Sequence, residues 1–121
     1  MSGAGPDRAG SDGAGQWLAR IGDYEAGLAD PATLFHVGLA RGSMTVELYR
    51  PAGEDHQTPH SRDELYIVRT GRAQFVRDGA RVAVSAGDTI FVPARMEHRF
   101  EQFTADFDTW VVFWGPEGGE K

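Results

Sequence analysis

The stretch that decides the fold is HSRDELYIVRTG, residues 60–71 of a chain of 121 residues. A second stretch, GDTIFVPARMEH, occupies residues 87–98. The first supplies the imidazole of His60 and the carboxylate of Glu64, and the second supplies the imidazole of His98. Two histidines and one acid, set on strands by flanking glycine and proline, predict a metal site with nitrogen and oxygen ligands. The alternative is a hydrogen-bonded polar cluster in a metal-free pocket.

The spacing within the first stretch decides which side chains share a face. His60 and Glu64 are an even number of residues apart, so both face one side of an extended strand. Asp63 alternates with Glu64 and is predicted to be a solvated surface acid. His98 enters from another strand. Three such ligands suit one divalent transition metal (Fe, Mn, Co, Ni, Cu or Zn) and leave positions open for water, O2 or a substrate.

Most of the chain after residue 34 has the alternating pattern of short strands. In residues 44–49, Met, Val and Leu alternate with Thr, Glu and Tyr, which predicts a strand with two distinct faces. Asp78-Gly79 is a strong hairpin signal. The pattern predicts about eight strands with frequent turns, typical of an antiparallel sandwich or barrel. The first begins near residue 34, and the others are predicted at 44–49, 64–69, 73–77, 81–84, 89–92, 98–103 and 109–114.

The chain is predicted to form a single domain, residues 16–116. Residues 1–15 are too poor in large apolar side chains to fold and are predicted to be a disordered tail, and residues 117–121 form a polar C-terminal tail. A short helix that ends at Asp30-Pro31 is predicted before the strands. It rests on apolar residues at near-helical spacing: Trp17, Leu18, Ile21, Tyr24 and Leu28.

Composition excludes several classes of function. The formal net charge is −6 and Lys121 is the only lysine, which argues against a nucleic-acid partner. The chain has no cysteine, so disulfides, thiolate metal sites and cysteine nucleophiles are excluded. No signal peptide and no apolar run of about 20 residues is visible, so we expect a cytoplasmic protein without a membrane partner.

The last predicted strand is apolar on both faces, which is typical of a strand covered on both sides. Trp110, Val112 and Trp114 lie on one face, and Val111 and Phe113 lie on the other. In so small a barrel the second cover is predicted to be another subunit. We therefore expect a homodimer.

The two stretches resemble the two motifs of the cupin superfamily, and the resemblance extends over roughly residues 40 to 115. The second histidine, the glutamate and the glycine of the first motif correspond to His60, Glu64 and Gly71. The glycine, proline and histidine of the second motif correspond to Gly87, Pro93 and His98. The resemblance implies a cupin-type jelly-roll β-barrel of two antiparallel sheets with a short N-terminal helix. It implies much less about activity, because this fold hosts many chemistries.

The sequence departs from the cupin pattern at four positions, one of which is Ala52, where the motif has a glycine that here lies one position off, at Gly53. The first histidine of the family pair falls at Thr58, a poor ligand, Arg95 replaces a glycine, and Gln102 replaces an asparagine. The sequence is therefore similar to a three-ligand cupin, or to one in which His56 or Gln57 supplies the fourth ligand.

Five further side chains are predicted to contact a bound small molecule. Tyr66 shares the face of Glu64 and is either pocket wall, hydroxyl donor or core. Arg95, between Pro93 and His98, could clamp a substrate carboxylate or could be a surface residue paired with Glu97. The remaining candidates are aromatic residues for the pocket lining: Tyr49, Phe103 and Trp110.

The sequence thus leaves three functional hypotheses. The first is a mononuclear metal-dependent cupin that acts on a small organic molecule by oxygenation or isomerisation, as a dioxygenase or isomerase; the resemblance implies the reaction class. The second is a non-catalytic cupin module that binds a metal or a small ligand. The third is a scaffold subunit with a vestigial barrel.

Overall fold

The computed structural model describes residues 16–121, so the predicted tail at residues 1–15 lies outside the described residues. One short helix, α1, precedes eight antiparallel strands in the described part of the chain. The elements are α1 (Ile21–Gly27), β1 (Phe35–Arg41), β2 (Met44–Tyr49), β3 (Asp63–Thr70), β4 (Arg72–Arg77), β5 (Ala80–Ser85), β6 (Thr89–Val92), β7 (His98–Glu101) and β8 (Asp108–Trp114).

The strands form two antiparallel sheets. The larger has the order β1-β2-β8-β3-β6, and the smaller has the order β5-β4-β7. No strand pairing between residues 16 and 121 joins the two sheets, so hydrogen bonds do not close them into a continuous barrel. Asp78 and Gly79 both have positive φ in the turn between β4 and β5, as the predicted hairpin requires. The predicted fold class is confirmed.

The core lies between the sheets. It is built from inward-facing side chains of both, with three aromatic rings at its centre: Tyr66 from β3, Phe75 from β4 and Phe100 from β7. Their ring centroids lie 4.8 to 5.7 Å apart in tilted or edge-on arrangements, which suit the quadrupoles of aromatic rings. This core holds β3 and β7, which carry Glu64 and His98, in fixed relative positions.

Helix α1 packs on the outer face of the larger sheet. Tyr24 contacts Trp110 with ring centroids 4.7 Å apart, and Leu48 is fully buried beneath the helix. Gly38 makes this approach possible, because a Cβ atom there would lie 2.2 Å from the Tyr24 ring. The helix therefore supplies part of the second cover of β8 that the sequence analysis assigned to another subunit. At seven residues, this described helix is too short to cross a membrane.

The prediction that Asp63 is a solvated surface acid is wrong. Asp63 does lie on the outer face of β3, but it is buried there. Its carboxylate accepts hydrogen bonds from the backbone N–H of Ala94, at 3.0 Å, and of Glu120, at 2.9 Å. The polar C-terminal residues thus fold back onto the start of β3, a contact that alternation along one strand does not reveal.

Candidate metal centre

Three side chains from two parts of the chain meet between the two sheets. His60 precedes β3, Glu64 is the second residue of β3, and His98 begins β7. Each offers one ligand atom, and the three atoms lie within 4.8 Å of one another. Nε2 of His98 is 3.1 Å from Oε1 of Glu64, and Nε2 of His60 is 3.9 Å from Oε2 of Glu64. These are the three residues that the sequence motifs singled out.

The buried atoms of this group lack partners among the described residues. Both carboxylate oxygens of Glu64 and Nε2 of His98 are shielded from solvent and make no hydrogen bond, although two of these atoms are only 3.1 Å apart. An unsatisfied buried polar group costs about 1–3 kcal/mol, and native proteins contain few of them. Three such atoms around one point fit a divalent cation, which nitrogen and carboxylate oxygen bind well.

A backbone carbonyl sets the orientation of His98. Nδ1 of His98 lies 2.9 Å from the carbonyl oxygen of Met96, so Nδ1–H donates there and Nε2 faces Glu64. Burial lowers the pKa of His98, but the carboxylate of Glu64 and the Met96 carbonyl outweigh it and raise the pKa. A metal at Nε2 must therefore displace a proton that Glu64 stabilises, so metal affinity falls at acidic pH.

Gln57 lies beside the three candidate ligands with its amide oxygen towards them. Oε1 is 3.2 Å from Nε2 of His60 and accepts a hydrogen bond from the Tyr66 hydroxyl at 3.1 Å. Nε2 of Gln57 donates to Asp55 at 2.8 Å, which fixes the direction of the amide. Gln57 thus brings an oxygen atom to the site, and its role as a fourth ligand stays a prediction.

The other fourth-ligand candidates lie further out. The side chain of His56 is 80% exposed, and its Nε2 is 3.4 Å from the exposed carboxylate of Glu54. Thr58 is also exposed. The extended segment before β3 therefore turns Gln57 inwards and its neighbours on both sides outwards.

Asp55 supports the site, and the sequence analysis missed it. This buried carboxylate accepts four hydrogen bonds, from the Tyr49 hydroxyl (2.7 Å), the backbone of Gln57 (3.2 Å), the Gln57 side chain (2.8 Å) and the backbone of Phe100 (2.8 Å). It therefore ties the segment before β3 to β2 and β7. Nothing in the local sequence separates it from an exposed loop acid, because its burial depends on tertiary contacts, such as the one with Phe100, 45 residues along the chain.

A cavity of about 710 Å³ opens onto the candidate centre, a volume typical of small-molecule sites. Glu64, His60 and Gln57 form its polar end, and apolar side chains such as Val111 and Phe113 form its walls. Tyr49 also lines it, as predicted for the pocket lining. Burial and the neighbouring carboxylate of Asp55 raise the pKa of Tyr49, so its hydroxyl stays protonated and donates to Asp55.

The structure places the other four predicted ligand-binding residues outside the lining of this cavity. Tyr66 is fully buried in the core, where its hydroxyl reaches Gln57. Trp110 lies on the opposite face of the sheet, against α1, because residues 110 and 111 point to opposite sides of β8. Phe103 lies after the end of β7 and packs on Phe107, with ring centroids 5.9 Å apart.

Arg95 is an exposed residue of the loop between β6 and β7, and its side chain does not line the cavity. Its contribution comes from the backbone. The N–H of Arg95 donates to the carbonyl oxygen of His60 at 2.6 Å, and its φ is 70°. The loop thus holds the chain at His60 in place, while the Arg95 side chain lies outside the lining of the cavity that a carboxylate clamp would serve.

Comparison with known proteins decides the family. The family model of the cupin domain matches residues 45–112, more than half of the chain. This chain belongs to the cupin family. An uncharacterized protein of Streptomyces coelicolor is 35% identical to this cupin over 100 residues, which cover 81% of this chain and 95% of that protein. The resemblance noted in the two motifs is therefore confirmed.

Solved structures support the same conclusion. A cupin 2 conserved barrel domain protein from Salinispora arenicola is 25% identical to this cupin, with a TM-score of 0.57 over 71% of this chain and 84% of that one. A structure described as DMSP lyases is 30% identical, with a TM-score of 0.51. That match covers 61% of this cupin and 38% of the other chain, so this cupin spans well under half of its length.

Proposed function

We propose that this cupin is a mononuclear metal-dependent enzyme that acts on a small organic molecule by oxygenation or isomerisation. His60, Glu64 and His98 would hold one divalent transition metal, with the amide oxygen of Gln57 beside them. One observation carries the proposal. The buried oxygens of Glu64 and the buried Nε2 of His98 have no hydrogen-bond partner among the described residues, and Glu64 lines an open cavity.

The chemistry of such a site suits catalysis better than a structural role. A metal held by two histidines and one carboxylate would act as a Lewis acid or offer a coordination position to O2. Such a small number of protein ligands leaves coordination positions open. A cavity of about 710 Å³ gives a small molecule access to those positions. A similar structure described as DMSP lyases shows that comparable folds occur among enzymes.

The surrounding residues contribute orientation. The Met96 carbonyl fixes the tautomer of His98, and Asp55 fixes the amide of Gln57. The Tyr66 hydroxyl donates to the same Gln57 oxygen, and burial keeps this phenol protonated by raising its pKa. Side chains locked by such contacts hold their ligand atoms in place without reorganisation when a ligand binds.

Elemental analysis of the purified protein tests the metal assignment. We expect one transition-metal ion per chain in the wild type, strongly reduced metal in His98→Ala, and wild-type metal in His56→Ala. The two variants remove the same type of side chain, a histidine that is buried at the site in one case and exposed in the other. His60→Ala, which removes a half-exposed side chain, serves if His98→Ala fails to fold. Full metal retention by both His98→Ala and His60→Ala would contradict the proposed site.

Turnover separates the enzyme from the non-catalytic binding module. An enzyme and a metal-binding module both predict metal in the wild type and strongly reduced metal in His98→Ala, whereas a vestigial scaffold predicts no stoichiometric metal. Oxygen uptake, together with product analysis for isomerisation, is measured with a panel of small molecules on metal-loaded protein. If molecules of the panel bind at the metal but none is converted to a product, the result would favour the non-catalytic binding module.

A further inference from the structure

The cavity has an unbalanced charge. Its ionisable lining residues are three acids, Glu47, Glu54 and Glu64, two histidines and the phenol of Tyr49, and none of its lining residues in the described chain is arginine or lysine. A carboxylate or phosphate ligand would therefore find no cationic side chain on the cavity wall. Its charge would be matched only at the metal centre.

Glu47 is the acid of interest, because it lies on the cavity wall, away from the candidate metal ligands. It is on β2, opposite Val111 of β8 and Val37 of β1, and it is half-buried. Between residues 16 and 121, no group forms a hydrogen bond or an ion pair with its carboxyl group. Burial, with a smaller contribution from the charge of Glu64, raises the pKa of Glu47 to about 7. A carboxyl group in this state gains free energy from any cationic donor that reaches it.

Among the described residues, no other side chain that lines the cavity forms a hydrogen bond or an ion pair with Glu47. The hydroxyl of Tyr49 is already donated to Asp55. Phe35, Val111 and Phe113 present apolar surface to the same cavity, and aromatic faces attract cations. An ammonium group near Glu47 would therefore meet one carboxylate and aromatic rings.

A second, independent observation marks the cavity as a ligand site. Glu64 lines the same cavity, its side chain is only 1% exposed, and neither of its oxygens has a hydrogen-bond partner among the described residues. The cavity is therefore more than a patch of acidic side chains on the surface. It contains Glu64 of the candidate metal centre at one end and the unpaired carboxyl group of Glu47 on its wall.

We propose that Glu47 determines the ligand specificity of this cavity, and that the cavity takes a small organic molecule with an ammonium or other cationic nitrogen. The cationic nitrogen binds the carboxylate of Glu47, and the rest of the molecule extends along the apolar wall towards His60, Glu64 and His98. This inference deepens the proposed function by naming a substrate class. It rests on that proposal only for the role of the metal end.

Isothermal titration of three probes of similar size and different charge tests the inference: 2-phenylethylamine, 2-phenylethanol and 3-phenylpropionate. The titrations use wild type, Glu47→Gln and Glu54→Gln at about pH 8, above the raised pKa of Glu47, so that its carboxylate is ionised. Glu54→Gln is the matched control, because Glu54 is an exposed acid at the rim of the same cavity.

We expect wild type to bind the amine about tenfold more tightly than the alcohol, and the carboxylate most weakly, as a charge-assisted hydrogen bond predicts. Glu47→Gln should lose that preference, and Glu54→Gln should keep it. The inference is overturned if no probe binds the wild type, if the amine binds no better than the alcohol or the carboxylate, or if Glu47→Gln keeps the preference.

The same preparations separate this inference from the proposed function. Each protein is titrated with and without metal, and its metal content is measured. An amine preference in a wild-type protein that binds no metal would uphold the role of Glu47 and contradict the metal site. Stoichiometric metal without an amine preference would uphold the metal site and contradict the role of Glu47.

Discussion

Arg95 has a backbone conformation that suits glycine, with φ of 70° in the loop between β6 and β7. The cupin motif has glycine at this position. A left-handed conformation costs a non-glycine residue about 1–2 kcal/mol. The contact that accompanies it is the hydrogen bond from the Arg95 N–H to the carbonyl oxygen of His60. A strained residue thus supports the chain at a candidate metal ligand.

Replacement of Arg95 by glycine should stabilise the protein. Relief of the backbone strain exceeds the added chain entropy of glycine, which leaves a net gain of about 0.5–1 kcal/mol in the free energy of unfolding. Urea denaturation measures it. Arg95→Ala is the control, because it removes the exposed side chain and keeps the Cβ atom. Equal stability of the glycine and alanine variants would contradict the predicted net gain, because relief of the strain would then only offset the added chain entropy of glycine.

The candidate ligands were predictable from the sequence, whereas their supporting residues were not. His60, Glu64 and His98 stand at fixed spacings from glycine and proline, so local pattern finds them. Glu47 stands on an ordinary alternating strand. Its position on the cavity wall depends on β2 pairing with β8, a contact between residues more than 60 positions apart, and alternation alone does not say which face is inside.

At the scale of elements, the buried carboxylate of Asp108 on β8 binds side chains of β3 and of the residue after β2. The two arginines among them connect this carboxylate to α1. Asp108, at the start of β8, accepts hydrogen bonds from Arg69 at 2.6 and 2.9 Å, Arg50 at 3.1 Å and Thr70 at 2.9 Å. Both arginines also reach Glu25 of the helix. Burial raises the pKa of Asp108, but its bonds to Arg69, Thr70 and Arg50 outweigh this and lower the pKa below its ordinary value.

Asp108→Asn should reduce the free energy of unfolding by about 2–3 kcal/mol near neutral pH, because it leaves two partly buried guanidinium groups without this carboxylate. The control Glu25→Gln, which removes the exposed acid of the same network, should cost less than about 1 kcal/mol.

Because the folded-state pKa of Asp108 is lowered, the contribution of Asp108 to stability is present above its unfolded pKa and disappears as pH falls through its folded pKa. The gap between wild type and Asp108→Asn should therefore narrow in acid, and thermal denaturation from pH 7 downwards measures it. A gap that does not change with pH would contradict this account.

The positions of the strands were predicted from the sequence, but some of their end residues were predicted wrongly. β7 was predicted to run to residue 103 but ends at Glu101, because Gln102 has a φ of 51° and leaves the extended conformation. The face of Asp63 was predicted correctly and its environment was not. Alternation gives the direction of a side chain, and only the return of the C-terminal residues shows what covers it.

At the scale of the whole molecule, part of the larger sheet has an apolar outer face that α1 leaves uncovered. The pairing register aligns five partly or fully exposed apolar residues in a row across all five strands. The row consists of Leu39, Val46, Val112, Leu65 and Phe91. Phe91 is 47% exposed, and its ring lies 6.2 Å from that of Trp114. Contiguous apolar surface of this kind is typical of protein interfaces.

The homodimer expected from the sequence of β8 therefore remains a prediction. The apolar row on the outer face of the larger sheet is the surface that we expect to form its interface. We expect size-exclusion chromatography with light scattering to give twice the monomer mass at micromolar concentration. Phe91→Ser should weaken the dimer, since aromatic anchors dominate such interfaces. Val82→Ser, at an exposed apolar residue of the smaller sheet, should leave it intact. A monomeric wild type would refute the prediction.

The carboxylate of Asp63 stands next to Glu64 in the chain and is bound on its two oxygens by Ala94 and Glu120. Proteolytic clipping or an unstructured fusion partner at the C-terminal end would therefore act on the neighbour of a candidate metal ligand. An intact carboxyl end is thus a sensible quality criterion for any preparation whose metal content is to be interpreted.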